Sequence, residues 1–325
     1  MPPMKLTMKE PYSRTKIFSK KFRGYIDLVR PFTLLAPFFV SMFIMFASFF
    51  YNAAFQKQPV EWWPVFVTMT QASLTLAFLN AASNALNQAT DVESDVISKP
   101  YRPIPRGIVT SDEAQSLAYL FYLFGLLRAV TINLWFGIFV FLIMIFTVTY
   151  SLPPRMKQYL FINQIWISIP RGLLGILASW SVFSNDNPFQ REPLVIGMIA
   201  TLFFVGAMAT KDITDKEADK RTGVRTLINT YGTKTAAFIS LPFLFFPFAL
   251  IPILVNMDIL NSYLLPLTVF TIPSFLVFYL MIKQSESKSL ENVHAWVLMY
   301  VEYLFLAVSF SVLIILGETG HLFMF

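Results

Sequence analysis

Asn87, Asp91 and Asp95 stand four residues apart in N-Q-A-T-D-V-E-S-D. On a continuous helix that spacing makes one stripe. A second acidic run, K-D-I-T-D-K-E-A-D-K, sets Asp212, Asp215 and Asp219 at steps of three and four, again one helical face. Carboxylates clustered with an amide oxygen suit a hard cation such as Mg2+, which keeps waters and takes substrate phosphates as further ligands. Either run alone is also what a solvated loop rich in Asp and Lys shows. The pairing says more, because Asp91/Asp95 and Asp215/Asp219 repeat one separation. Two Mg2+ ions with a diphosphate between them would use both runs and stabilise that diphosphate as a leaving group. Asp91, Asp95, Asp215 and Asp219 are the candidate catalytic residues. Asn87 and Asp212 complete the candidate metal ligands.

Basic residues accompany both runs: Lys99, Arg102 and Arg106 in K-P-Y-R-P-I-P-R-G, then Lys211, Lys220 and Arg225 around the second. Arg155 and Lys157 in Y-S-L-P-P-R-M-K form a third group. Guanidinium forks bind phosphate oxygens bidentately, so these residues and Asn87 are the candidate diphosphate-binding set. The same charges also fit the ordinary excess of Lys and Arg on the inner face of a membrane protein. Asn80 and Asn84 extend the first stripe toward the N-terminus, either as cavity lining or as hydrogen bonds between helices.

The elements that position these residues are membrane helices. The chain has 325 residues, is 56% hydrophobic and carries 14% charged residues. A soluble domain of this size needs more surface charge. Apolar runs of about 20 residues span a bilayer, and nine are expected, near 32–51, 65–89, 113–130, 132–151, 160–183, 193–210, 235–256, 263–282 and 294–316. The expected fold is all-α: a polytopic membrane protein with nine transmembrane helices in a bundle around a central cavity. Residues 1–31 read as a basic cytoplasmic arm, 32–316 as the membrane domain and 317–325 as a short tail. With the N-terminus inside, the inner segments hold 21 of the 25 Lys and Arg and the outer side three, Lys57, Arg128 and Arg191. That asymmetry puts the N-terminus and both acidic runs on the cytoplasmic side. Trp62, Trp63, Trp135 and Trp180 are expected in an outer interfacial belt. The chain has no cysteine and two histidines far apart, which excludes thiolate chemistry and argues against a His metal site. The four-span offset between the acidic runs suggests parallel repeats.

Arg171, in S-I-P-R-G-L-L-G, and Glu302 fall inside spans. Each is costly there unless paired or facing a polar cavity, so they are read as partners of one another or as acceptor-facing groups.

The N-x-x-x-D-x-x-x-D motif in the second of nine spans and the D-x-x-D-x-x-x-D motif after the sixth resemble the UbiA superfamily of intramembrane prenyltransferases over roughly residues 25 to 316. The resemblance implies that the motif residues here, Asn87, Asp91, Asp95, Asp212, Asp215 and Asp219, bind Mg2+ and an isoprenoid diphosphate. It further implies a prenyl tail lying among the helices and a hydrophobic lipid acceptor. Membrane lipids are expected partners and nucleic acid is not. Gln88 stands where many members have Asp, on the side of the helix away from the stripe. The two loop motifs look most like those of archaeal digeranylgeranylglyceryl phosphate synthases. Ala218, where those enzymes are expected to have Gly, departs from that pattern. Aromatic, quinone-precursor, tetrapyrrole and carotenoid acceptors stay open, as does terpene cyclisation. A transporter of an anionic solute is the alternative of another class, but its site should lie near the midplane rather than at one face.

Overall fold

The computed structural model describes residues 14–53, 60–184, 186–283 and 293–320. Residues 1–13 of the expected arm and 321–325 of the expected tail lie outside them. Helices α1 (Arg14–Val29), α2 (Leu35–Ala53), α3 (Trp62–Thr90), α4 (Val92–Ser98) and α5 (Ser111–Val130) come first. They are followed by α6 (Leu134–Ser151), α7 (Ile162–Arg171), α8 (Leu173–Ser181), α9 (Arg191–Ala207) and α10 (Lys216–Thr222). The chain ends with α11 (Leu227–Tyr231), α12 (Thr233–Ala249), α13 (Ile251–Asn256), α14 (Thr271–Lys283) and α15 (His294–Glu318). No strand occurs among the described residues.

Among the described residues seven stretches are long and apolar enough to cross a bilayer: Pro31–Asn52, Trp62–Thr90, Leu134–Ser151, Arg191–Ile213, Thr233–Asn256, Ser262–Lys283 and His294–Glu318. The other two expected spans differ in character. The third, α5, is helical, with Asp112 and Glu113 in its first turn and Glu113 closing a capping box with Thr110. The fifth is two short helices, α7 and α8, divided at Gly172. Pro170 lacks the amide hydrogen that a continuous helix would use, and a Cβ on Gly172 would lie 2.5 Å from the backbone nitrogen of Thr201.

Two apolar cores flank the bundle axis. One draws on α3, α5 and α6, the other on α9, α12, α14 and α15, and α2 and α8 contribute to both. Trp180 is fully buried against Tyr51 and Phe310 and donates to Gln190 Oε1, so it belongs to the core and not to the expected belt. Trp63 is exposed. At the end of the bundle away from the acidic runs, buried Glu192 accepts from Tyr51 Oη at 3.0 Å and Asn261 Nδ2 at 2.8 Å and pairs with Arg191 at 3.0 Å. Glu192→Ala would leave the Tyr51 hydroxyl without its acceptor and take one acceptor each from Asn261 and Arg191. It is expected to cost about 1–3 kcal/mol, read as a lower melting midpoint in detergent; an unchanged midpoint would contradict this role.

Candidate active site

The polar face of α3 divides its work between two neighbours. Asn80 Nδ2 donates to the Thr33 carbonyl at 3.0 Å, and Asn84 Nδ2 to the Val29 carbonyl at 2.9 Å and Thr33 Oγ1 at 2.8 Å. Gln88 is buried and donates to the Leu28 carbonyl at 2.6 Å, away from the acidic stripe. These bonds satisfy the chain where α1 hands over to the first span. They also fix the rotation of α3, so that Asn87 and Asp91 face the interior cavity.

The stripe does not stay on one helix. The backbone breaks at Asp91 (φ −109°, ψ 23°), and α4 starts at the next residue. Arg155 Nη2 takes the Thr90 carbonyl at 3.2 Å, one of the carbonyls left open at the end of α3. The second run breaks likewise: a 3-10 turn over Met208–Ile213 ends, and α10 follows Asp215. In both, an aspartate, Asp91 or Asp215, stands at the N-terminal boundary of a seven-residue helix. Its carbonyl accepts the amide of the second aspartate, Asp95 or Asp219, at 2.8 Å. Helices α4 and α10 pack against each other, and Lys99 after α4 pairs with Asp215. The repeated spacing in the sequence thus corresponds to two similar helix–break–helix units facing one another.

Every acidic group of the site has a nearby cation or like charge. Asp91 Oδ1 accepts from Lys157 and, at 2.9 Å, from Arg155 Nη2; Lys157 also reaches Asn87 Oδ1 at 3.2 Å. Asp95 accepts through both oxygens from Arg102 Nη1, at 2.9 and 2.8 Å. Asp212 pairs with Lys211 at 2.6 Å, while its buried Oδ2 has no hydrogen-bond partner. Burial pushes the Asp95 carboxyl up, against the pull of Arg102. Asp219 is pushed to about 8, first by burial and then by the charges of Asp212 and Asp215. Burial lowers the Lys157 ammonium, opposed by Asp91.

These groups surround one end of a cavity of about 300 Å3. Asn87, Asp91, Asp95, Lys99, Arg102, Lys157, Lys211, Asp212, Asp215 and Asp219 all line it. Leu76, Leu79, Ile143, Phe146, Phe204 and Met299 form its apolar walls. Arg155 reaches Asp91 from outside the lining. Lys220 and Arg225 do not line it, and Arg106 lies in a separate surface groove with Lys20, Arg23 and Asp27. Arg171 lines the cavity. Glu302 does not; it is buried against Ser274 of α14, so the expected Arg171–Glu302 pair is absent. Tyr150 is a lining residue that the motif reading passed over. Lys157 Nζ sits 6.0 Å from its ring centre. Its place at the inner end of a span, directly before S-L-P-P-R-M-K, was the available signal.

Such a chamber suits an anionic, metal-chelating head with an apolar tail. Its donors are hard oxygens, and the unpartnered Oδ2 of Asp212 is an open ligand position, so the set fits Mg2+. Among the described residues no three acidic or imidazole groups are already gathered tightly enough to cage an ion. Mg2+ does not require that, since water and phosphate oxygens complete its shell.

The chain is similar to known proteins. A digeranylgeranylglyceryl phosphate synthase from Methanobrevibacter smithii is 28% identical, over 68% of this chain and 79% of that one. Another from Methanosphaera stadtmanae is 25% identical over 88% and 97%. The solved structure of a UbiA homologue from Archaeoglobus fulgidus bound to DMAPP and Mg2+ superposes with a TM-score of 0.68. It covers 90% of this chain and 99% of that one at 18% identity, a likeness of fold. The model of the UbiA prenyltransferase family matches residues 41–305; the chain is an integral membrane prenyltransferase and belongs to that family.

Proposed function

We infer that this prenyltransferase is Mg2+-dependent and moves a geranylgeranyl group from its diphosphate to the hydroxyl of geranylgeranylglyceryl phosphate, a step of archaeal ether-lipid synthesis. The observation that carries this reading is the meeting of two matched aspartate units at the polar end of one apolar-walled cavity. The names of the relatives support the acceptor. The 21-to-3 charge asymmetry supports a cytoplasmic N-terminus and site. Two units, one per cluster, support two ions.

Asn87, Asp91, Asp95, Asp212, Asp215 and Asp219 would hold the metal. When bound, Mg2+ supplies charge neutralisation of the diphosphate and eases its departure. Lys99, Arg102, Lys157 and Lys211, now paired to carboxylates, are positioned to turn to phosphate oxygens as the aspartates take metal. Arg155 would act through its bond to Asp91, and Arg106, Lys220 and Arg225 from outside the lining, through long-range charge. The apolar walls keep water from the electron-poor prenyl carbon, and aromatic faces such as Tyr150 and Phe146 stabilise it through their quadrupoles.

Removing divalent metal with a chelator is expected to abolish diphosphate release, and adding Mg2+ to restore it. Full release in the chelated protein would refute the metal role. Metal affinity should also depend on pH. The Asp219 carboxyl titrates near 8, and metal takes the deprotonated form, so below that pH a proton must leave as metal enters. Calorimetry is expected to show Mg2+ affinity rising from pH 6.5 toward 8.5, with proton release at the lower pH. A flat profile would count against Asp219 as a ligand.

A further inference from the structure

Arg171 differs from the four cations that line the cavity beside the aspartates. Lys99, Arg102, Lys157 and Lys211 each pair with an aspartate. Arg171 pairs with no carboxylate among the described residues. Its one side-chain hydrogen bond is from Nη1 to the Ile167 carbonyl of its own helix, at 3.3 Å. A guanidinium inside a membrane bundle without a counter-charge is costly, and the fold has gone to some length to keep it there. Arg171 sits at the break of the fifth span, with Pro170 before it and Gly172 packed on Thr201 after it. Its carbonyl is held by Tyr303 Oη at 2.8 Å, and Thr201 Oγ1 takes the first amide of α8, Leu173 N, at 2.8 Å.

Its place along the cavity is also informative. The side chain lies within electrostatic range of Tyr150, Tyr300 and Tyr303, and of Arg30, which also lines the cavity. Tyr150 in turn faces Lys211 and Asp212. Tyr150 is thus within reach of both Arg171 and the Lys211–Asp212 pair. Both guanidinium and tyrosine hydroxyls are donors suited to a phosphate monoester, and none of the three tyrosines can neutralise the arginine at neutral pH.

We propose that Arg171 is the specificity-determining residue for the acceptor, binding its phosphate monoester at a second anion site in the same cavity as the diphosphate site. This deepens the prenyltransferase reading and rests on it. It commits the acceptor to an anionic class: a neutral phenol or alcohol would leave the Arg171 charge without a partner in the filled cavity.

The test measures binding without turnover. Purified protein in detergent, with Mg2+ and inorganic diphosphate filling the donor site, is titrated with geranylgeranylglyceryl phosphate and with its dephosphorylated alcohol. Wild type is expected to prefer the phosphorylated lipid, and Arg171→Gln to reduce that preference on the order of 30-fold, as for loss of charge-assisted hydrogen bonds. Arg171→Lys, which keeps the charge and loses the fork, is expected to fall between them. Equal binding of both lipids by wild type overturns the proposal, as does a preference that survives in Arg171→Gln. Should that variant not fold, an Arg171→Lys protein with undiminished preference also overturns it. Because the donor is not consumed, a chain that prefers the phosphorylated lipid but never releases diphosphate would sink the transfer reaction and leave this site standing.

Discussion

Asp91→Ala and Asp215→Ala are each expected to reduce turnover on the order of 10^3-fold, the scale of losing a strong electrostatic contact in a water-poor site. Asp91 gathers Lys157, Arg155 and, through Lys157, Asn87. Asp215 holds Lys99 across the gap between the two units. Removing either takes an oxygen from the proposed metal set and releases a cation whose position it fixes. Lys157 is 5% exposed, so some stability is also lost, and each variant needs a folding control by gel filtration and melting. Near-normal turnover in either folded variant would contradict a site that needs both clusters.

Gly172→Ala is expected to be among the most destabilising single-methyl changes. The added Cβ would lie 2.3 Å from Thr201 Oγ1, 2.5 Å from its nitrogen and 2.6 Å from its Cα. The side-chain oxygen could rotate away, but the backbone of α9 could not. Overpacking of this kind costs about 1–3 kcal/mol. Separating α8 from α9 would also break the Leu173–Thr201 bond and move Arg171. A melting midpoint equal to wild type would show that the two helices slide apart freely.

Much of this was legible in the residues. Composition and run length marked a helical membrane protein. Identical aspartate spacing marked two related units, and the structure places them face to face. The periodicity around Asn87 put Gln88 on the opposite side, where it meets the Leu28 carbonyl. Other features depend on partners distant in sequence. The break at Asp91 goes with Arg155 taking the Thr90 carbonyl from 65 residues away, so helical spacing alone read through it. Hydropathy counted the fifth span as one helix because Pro170 and Gly172 interrupt the backbone without interrupting the apolar pattern. Opposite charges on Arg171 and Glu302 suggested a pair, but the Ser274 hydroxyl serves Glu302 instead. Trp180 looked interfacial by position and is core by contact.

The central claim is transfer of a prenyl group to a phosphorylated lipid. It is tested most directly by product mass spectrometry on the purified chain with Mg2+, geranylgeranyl diphosphate and a panel of phosphorylated glycerolipid, aromatic-acid, quinone-precursor and tetrapyrrole acceptors. The expected result is one new species, the phosphorylated glycerolipid plus one geranylgeranyl unit, formed with equimolar diphosphate. Prenylation of an aromatic or tetrapyrrole acceptor in its place, or a cyclised hydrocarbon with no acceptor consumed, would contradict it.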